Sequence, residues 1–194
     1  MLNKIILASK SEVRRQILIK HGIICQVEPS NVDEEPVKES LLKEGATPEI
    51  ISKNLAELKA NKVSTKIKDE IVLGADSVID LEGNIISKPK DRNEALEILK
   101  KLNGKHHFLI SSVCLSKNGR MIWHYSDKAK LTMKNFEILD LKNYLAKITD
   151  EALYAYNVYQ IEASGKDLFL KIEGNENTVM GLPVEKIKEY LKNL

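Results

Sequence analysis

The side chains of this chain that could do chemistry are charged groups set into apolar surroundings. Asp76 follows Ile71-Val72-Leu73-Gly74-Ala75 and precedes Ser77-Val78-Ile79, so a carboxylate interrupts what otherwise reads as a buried strand. An unpaired charge there is costly, and a partner is required: Mg²⁺, or a buried Lys or Arg. Gly74 and Ala75 are small enough to leave room for a ligand. Lys59 stands in the stripe Ile51, Leu55, Lys59, Val63, which places its stem on the inward face of a helix. Lys88 follows the short apolar strand Ile85-Ile86, and Glu34 and Glu35 lie in an acidic stretch. Taken singly, each has a plainer reading: a strand-end aspartate, snorkelling lysine stems and a solvated acidic loop.

Ser9, Ser11, Arg14 and Arg15 form a second group. A short strand at Ile5-Ile6-Leu7 runs straight into a helix N-terminus, where free N–H groups and the positive end of the helix dipole favour an anion. Cations in the first turns oppose that dipole at about 0.3–1 kcal/mol unless an anion compensates them. Of thirty Lys plus Arg only four are Arg, and two of the four are here. Arg grips phosphate through a planar fork. The alternative is that Ser9 only caps the helix and the arginines are solvated or paired with Glu.

Jointly these residues supply cations for phosphates, carboxylates for a metal and a water, and a helix end for an anion. That is an inventory for phosphoanhydride hydrolysis, with no Ser or Cys nucleophile needed. There is no G-x-x-x-x-G-K-[ST] and no G-x-G-x-x-G, which weighs against a P-loop ATPase or a dinucleotide oxidoreductase. Cys25 and Cys114 are isolated, which argues against a zinc site or a disulfide scaffold.

The elements that must position these groups follow from pattern. Ser9 with Glu12 is a capping-box spacing, predicting a helix to about residue 21 stopped by Gly22. Residues 31–36 read as an acidic connector, Thr47-Pro48 as a helix start running to about residue 65, and residues 71–79 as a strand. Residues 84–87 read as a short strand, and Asp91 with Glu94 opens a helix closed by Asn103-Gly104. Strands are expected over 107–115, 121–126 and 128–133, the first two joined at Asn118-Gly119. A helix near 139–148, strands near 158–162 and 168–172 and a last helix from Pro183 complete the pass. The fold class is α/β with a mixed sheet, the late hairpins forming a second lobe, and no repeat or linker divides residues 1–194.

Composition narrows the class further. The chain has 194 residues, 43% hydrophobic and 30% charged, at a net charge of +2, too balanced to wrap nucleic acid by counterion release. Few aromatics also speak against a nucleic-acid-binding module. No apolar run approaches membrane length, and residues 1–7 fall short of a signal h-region, so a cytoplasmic protein with no membrane association is expected.

The order of these motifs resembles the Maf family of nucleoside triphosphate pyrophosphatases. The resemblance rests on Leu7-Ala8-Ser9-Lys10-Ser11 with Arg14, Val32-Asp33-Glu34, Leu55-Ala56 through Lys59-Ala60, and Gly74-Ala75-Asp76-Ser77. Lys88-Pro89-Lys90-Asp91, Glu94-Ala95 through Leu102-Asn103-Gly104-Lys105-His106, and Gly181-Leu182-Pro183 complete it. It implies a long mixed sheet with flanking helices and two lobes around a cleft, similar to inosine triphosphate pyrophosphatases, and a homodimer. It implies hydrolysis of a nucleoside triphosphate to the monophosphate and pyrophosphate with a divalent cation, Mg²⁺ or Mn²⁺. Asp76 is then the general base or a metal ligand, Glu34 a second metal or water carboxylate, and Ser9, Ser11, Arg14, Arg15, Lys59 and Lys88 the phosphate grips. The family is also associated with arrest of septum formation, so the alternative is a non-catalytic nucleotide-binding regulator of division.

Departures from the family pattern bear on the base. The usual Pro-Arg-Arg is here Glu12-Val13-Arg14, as in members of the 7-methylguanosine triphosphate type. The Tyr-Gly-Ile-Gln of pyrimidine-type members is here Tyr159-Gln160-Ile161-Glu162, and the Glu162 carboxylate suits two donors on a guanine edge. Ser77 is closer to the Thr of the pyrimidine type. The Gly-Lys-x-Gly that precedes the tyrosine in the family is here Tyr154-Ala155-Tyr156-Asn157, without its lysine. Together these imply a purine-leaning or broad substrate range.

Overall fold

The computed structural model describes residues 4–161 and 164–194. Strand β1 (Ile5–Leu7) pairs in parallel with β2 (Cys25–Val27) and with the start of β3 (Val72–Leu81). Ala8 continues that pairing by donating to the Leu73 carbonyl, so helix α1 (Glu12–Lys20) cannot start at Ser9. Its cap is Ser11, whose hydroxyl accepts from the Arg14 amide at 3.3 Å, and Ser9 is left facing a cleft.

Residues 31–36 are not all connector. Helix α2 (Glu34–Lys43) begins at Glu34, with an acidic first turn and Pro36 inside it, both features that a helix start tolerates. Helix α3 (Pro48–Lys66) starts at the expected place, with Thr47 accepting from the Ile50 amide. The buried stripe Ile51, Leu55, Lys59 and Val63 lies along it.

The core of the molecule is a seven-stranded mixed sheet in the order β2-β1-β3-β5-β6-β7, with β4 (Asn84–Ile86) as a hairpin partner of β3. Strand β5 (His106–Lys117) runs antiparallel along nearly all of β3, setting Asp76 opposite Ser112. The Asn118-Gly119 turn, both residues at positive φ, leads into β6 (Arg120–Met133). The two strands expected over 121–126 and 128–133 are one, because Asp127 is accommodated within it. Its carboxylate accepts from the Lys128 amide and the Thr178 hydroxyl.

Helices α4 (Arg92–Leu102), α5 (Ile138–Ala146) and α6 (Asp150–Tyr156) pack at one end, followed by a 3₁₀ turn (Ser164–Leu168) and β7 (Phe169–Glu173). Helices α7 (Glu176–Val179) and α8 (Val184–Lys192) close the chain. The strand expected near 158–162 is absent among the described residues. Val158 and Tyr159 are buried through their side chains, the tyrosine hydroxyl meeting His107 Nε2 at 2.8 Å, and no ladder forms there.

Two large apolar cores result, with two small clusters of buried residues beside them. One gathers β1, α1, α8 and the first half of β3 around Leu7, Leu18, Leu73, Leu115 and Ile187. The other gathers the end of β3, α4, α5 and β7 around Ile79, Leu99, Leu131, Leu141 and Phe169. These are the two lobes, and β3 runs through both.

Candidate active site

The site follows from how β3 is paired. On one edge, β1 covers it at Val72 and Leu73 and β4 covers it from Ile79 onward, so among the described residues no strand pairs with 74–78 on that side. A cleft of about 750 Å³ opens there, between the two cores and at the carboxyl end of β1. That size falls within the ~300–1,000 Å³ of small-ligand clefts, and crevices of this kind form where the strand order of an α/β sheet switches.

Asp76 projects into this gap from the middle of β3, its side chain only 7% exposed. Lys59 reaches it from α3: Nζ donates to Asp76 Oδ1 at 2.7 Å and lies 2.8 Å from Glu34 Oε1, so one ammonium holds both carboxylates. Gly74 is what lets α3 come so near. A Cβ at that position would overlap the Ala56 carbonyl oxygen and lie 2.7 Å from the Ala60 amide. The small residues before Asp76 therefore admit a helix, where the sequence suggested room for a ligand.

The two carboxylates are driven apart electrostatically. Burial raises the Asp76 pKa above the ordinary carboxylate value, and the nearby Glu34 charge adds to that, while Lys59 offsets part of it. Burial would raise Glu34 too, but the combined attraction of Lys59, Lys38 and Lys88 holds it below its ordinary value. Asp76 Oδ2 is buried without a hydrogen-bond partner among the described residues. A pair so divided, one carboxyl raised in pKa and the other lowered, is the arrangement from which acid and base roles are assigned.

The remaining residues singled out in the sequence divide. Ser9, Ser11, Arg14 and Lys88 line the same cleft as Asp76, Glu34 and Lys59. Lys88, in the loop after β4, makes no ion pair among the described residues. Partial desolvation holds its pKa below the ordinary lysine value, with Arg14 and Lys59 adding to that. Arg15 turns away instead: it pairs with Glu12 at 2.8 Å on the surface and lies outside the cleft lining. Its place in α1, one residue after Arg14, puts it about 100° around the helix, so the two cannot share a target. Glu162 lies outside the described residues.

Lys38 is a cleft residue that the sequence reading missed. It stands four residues after Glu34 on α2, on the same helix face. An acidic first turn containing a proline was the available clue to that helix. The far end of the cleft is lined by Ile79, Ile86, Leu109, Tyr159, Ile161 and Val179 and also carries the amide of Gln160.

A family model described as "Maf-like protein" matches residues 4–194. The chain belongs to the Maf family. It is 71% identical over 192 residues to a "Nucleoside triphosphate pyrophosphatase" of Pelagibacter ubique, covering 99% of this chain and 98% of that one. A protein of the same name from Ruegeria sp. is 38% identical over 98% of this chain and 96% of its own. A "7-methyl-GTP pyrophosphatase" of Rhizobium etli is 34% identical over 100% of this chain and 98% of its own. Among solved structures, the Staphylococcus aureus Ham1 protein aligns over 98% of this chain and 99% of its own, at 12% identity and a TM-score of 0.47.

In this Maf-family chain, then, cationic groups from α2, α3 and the β4–α4 loop line one cleft with a strand carboxylate, Lys38 also pairing with Glu35 at 2.8 Å. Seven of the nine residues proposed from sequence line one cleft.

Proposed function

We propose that this chain hydrolyses nucleoside triphosphates to the monophosphate and pyrophosphate, with Asp76 as general base. The observation that carries the proposal is the buried Asp76 Oδ2, unpartnered among the described residues, in a cleft lined by Lys59, Lys88 and Lys38. The names of the relatives supply the bond: a pyrophosphatase cleaves beyond the α-phosphate.

On this reading Lys88, Lys38 and the Ser9-Lys10-Ser11 turn bind the triphosphate and offset its charge. Asp76, whose pKa is raised by burial above the ordinary carboxylate value and which is so made a stronger base, orients a water and takes its proton as the water attacks phosphorus. Glu34, held ionised, keeps Lys59 in place, and Lys59 steadies Asp76. Preorganised cations of this kind stabilise the charge that develops on the phosphoryl oxygens without moving.

A divalent cation fits the donor set. Mg²⁺ takes one or two carboxylates and completes its shell with phosphate oxygens and water, and Glu34 would hold such an ion in the same cleft where Asp76 acts on the water. No group of three or more His, Cys, Asp or Glu suited to a metal occurs among the described residues, so substrate would supply the rest. When bound, the ion would neutralise phosphate charge and act as a Lewis acid.

The apolar end of the cleft takes the base on this reading, and the substitution at Glu162 directs it toward purines such as 7-methylguanine or toward a broad range. The whole chain, residues 1–194, acts as one catalytic unit, as a cytoplasmic homodimer. No helix among the described residues is long and apolar enough to cross a membrane.

The test is to incubate the protein and Asp76→Asn with Mg²⁺ and a panel of UTP, dTTP, CTP, GTP, ITP and 7-methyl-GTP, measuring pyrophosphate and orthophosphate separately. The expected result is pyrophosphate from the native chain and a loss of about 10²–10⁴-fold in the variant. Orthophosphate as the first product, or full activity in Asp76→Asn, would overturn the proposal.

A further inference from the structure

We infer that Arg14 is a positioning residue that takes the place of a missing strand beside Asp76, and not a ligand of the substrate phosphates. The inference rests on the pyrophosphatase reading for what Asp76 does, and on hydrogen bonds for what Arg14 does.

Among the described residues, 74–78 of β3 have a bare edge between β1 and β4, and a bare edge leaves backbone groups without partners. Arg14 fills it. Its Nη1 donates to the Ala75 carbonyl at 3.0 Å and to Ser9 Oγ at 3.4 Å, and its Nη2 donates to Ser77 Oγ at 3.1 Å. Nε donates to the Gly181 carbonyl at 3.0 Å. Four of the five N–H groups of a guanidinium are thus spent on the protein itself. The partners flank Asp76 on both sides in sequence, at Ala75 and at Ser77.

The hydroxyls have a direction. Ser111 Oγ donates to the Thr178 carbonyl at 2.8 Å, so its contact with Ser77 Oγ at 3.0 Å must be one in which Ser77 donates. Ser77 in turn accepts from Arg14. The chain Arg14 to Ser77 to Ser111 to Thr178 therefore runs one way and leaves no hydroxyl proton free. It joins α1, β3, β5 and α7, next to the residues 179–181 that line the cleft. Ser52 Oγ, donating to the Asp76 carbonyl at 3.2 Å, fixes the same strand from α3.

Gly181 is an independent sign that the strap is tightly fitted. Its φ of +89° is left-handed, and a Cβ there would stand 3.0 Å from Ser77 Oγ and 3.5 Å from Arg14 Nη2. The placement also answers the cost of a cation in the first turns of α1. The charge is met by carbonyl and hydroxyl oxygens, with Asp76 and Glu34 close enough to attract it, so no bound anion is required.

The experiment compares the native chain with Arg14→Lys, Ser77→Ala and Gly181→Ala in three readouts. These are kcat and KM for the preferred triphosphate, competitive inhibition by inorganic pyrophosphate, and amide hydrogen exchange over residues 74–78. A lysine cannot make the forked contacts, so Arg14→Lys should lower kcat by about 10²-fold, the scale of an ångström-level misplacement. KM and the pyrophosphate inhibition constant should stay within about twofold, because the lost contacts are not to substrate. Ser77→Ala, which removes no charge, should lower kcat in the same way by about tenfold and speed exchange at 74–78 by a similar factor. Gly181→Ala should do likewise. If Arg14→Lys instead raises KM and the inhibition constant tenfold with kcat and exchange unchanged, Arg14 is a phosphate ligand and the inference fails. Should Arg14→Lys not fold, Ser77→Ala and Gly181→Ala decide by the same criteria. Should the native chain release no pyrophosphate, the functional reading fails, and unchanged exchange in Ser77→Ala and Gly181→Ala would still refute the strap.

Discussion

The two ends of the cleft are built differently. At the polar end, Asp76, Lys59 and Glu34 stand on a strand and two helices and hold one another at 2.7–2.8 Å. At the far end, Ile79, Ile86 and Leu109 come from strands, but Tyr159, Gln160 and Ile161 come from an irregular stretch between α6 and the 3₁₀ turn. The difference is one of tolerance. Chemistry needs groups fixed to a fraction of an ångström, which regular elements supply, whereas choice among bases can be retuned on a loop without disturbing them.

The sharpest way to break that contrast is Lys59→Met. It leaves two carboxylates facing each other beside an apolar stem, and breaking one partner out of a buried ion pair costs about 3–5 kcal/mol. The raised Asp76 pKa should climb further, since Lys59 is the chief group holding it down. The acid limb of the activity profile should therefore move to higher pH. Denaturant unfolding and a pH–rate profile measure the two effects. If stability falls by less than 1 kcal/mol and the acid limb stays put, the polar end is not the interlocked unit described here.

Asp76→Asn should have a smaller effect on stability and of the opposite sign. The Asp76 pKa is higher folded than unfolded, so the folded chain binds the proton more readily. Its contribution to stability is complete below the ordinary carboxylate pKa of about 3.9 and is lost as pH rises through the folded value. At pH 8, well above the ordinary carboxylate range, burying this carboxyl is a cost, and the neutral amide removes it. Thermal unfolding should place the variant at or above the native chain at pH 8, with the advantage gone at pH 4. A variant melting clearly lower at pH 8 would mean that the attraction of Lys59 outweighs the burial of Asp76. An inactive variant that is more stable would identify a site where stability has been given up for function.

The same contrast explains what could be read in advance. Asp76 and Lys59 were visible because each interrupts an apolar pattern, and a charge in a buried row demands a reason. Helices α3 and α4 and strand β3 were visible by period and caps, since Thr47-Pro48 and Asp91 with Glu94 act locally, whereas the start of α2 reads as a connector. The union of the two late strands into β6 was not visible, because what tolerates Asp127 is Thr178, distant in sequence. Nor was the work of Arg14, whose acceptors at Ala75, Ser77 and Gly181 are brought together only by the fold. Gly74 was seen as small but read for the wrong neighbour, because the approach of α3 is a tertiary fact. The far end was the least legible of all. Ile79, Leu109 and Val179 look like any core residues, and nothing in their spacing says that a cleft reaches them.

That last point makes Gln160 the most delicate probe. It lines the cleft at its far end, and its side-chain amide makes no hydrogen bond among the described residues, so it is available to a ligand. Its backbone carbonyl accepts from Gly165, and substitution of the side chain leaves that contact intact. Gln160 is half-buried, but with no side-chain hydrogen bond to lose, Gln160→Ala should change stability by no more than about 0.5–1 kcal/mol. If the far end reads the base, the ratio of kcat/KM between a purine and a pyrimidine triphosphate should shift by about tenfold, or ~1.4 kcal/mol. The kcat for the better substrate should hold within about twofold, because no contact to the reacting phosphorus is lost. Equal losses for every base would place Gln160 with the chemistry, and the separation of fixed and adjustable ends would fail at the residue where it is easiest to see.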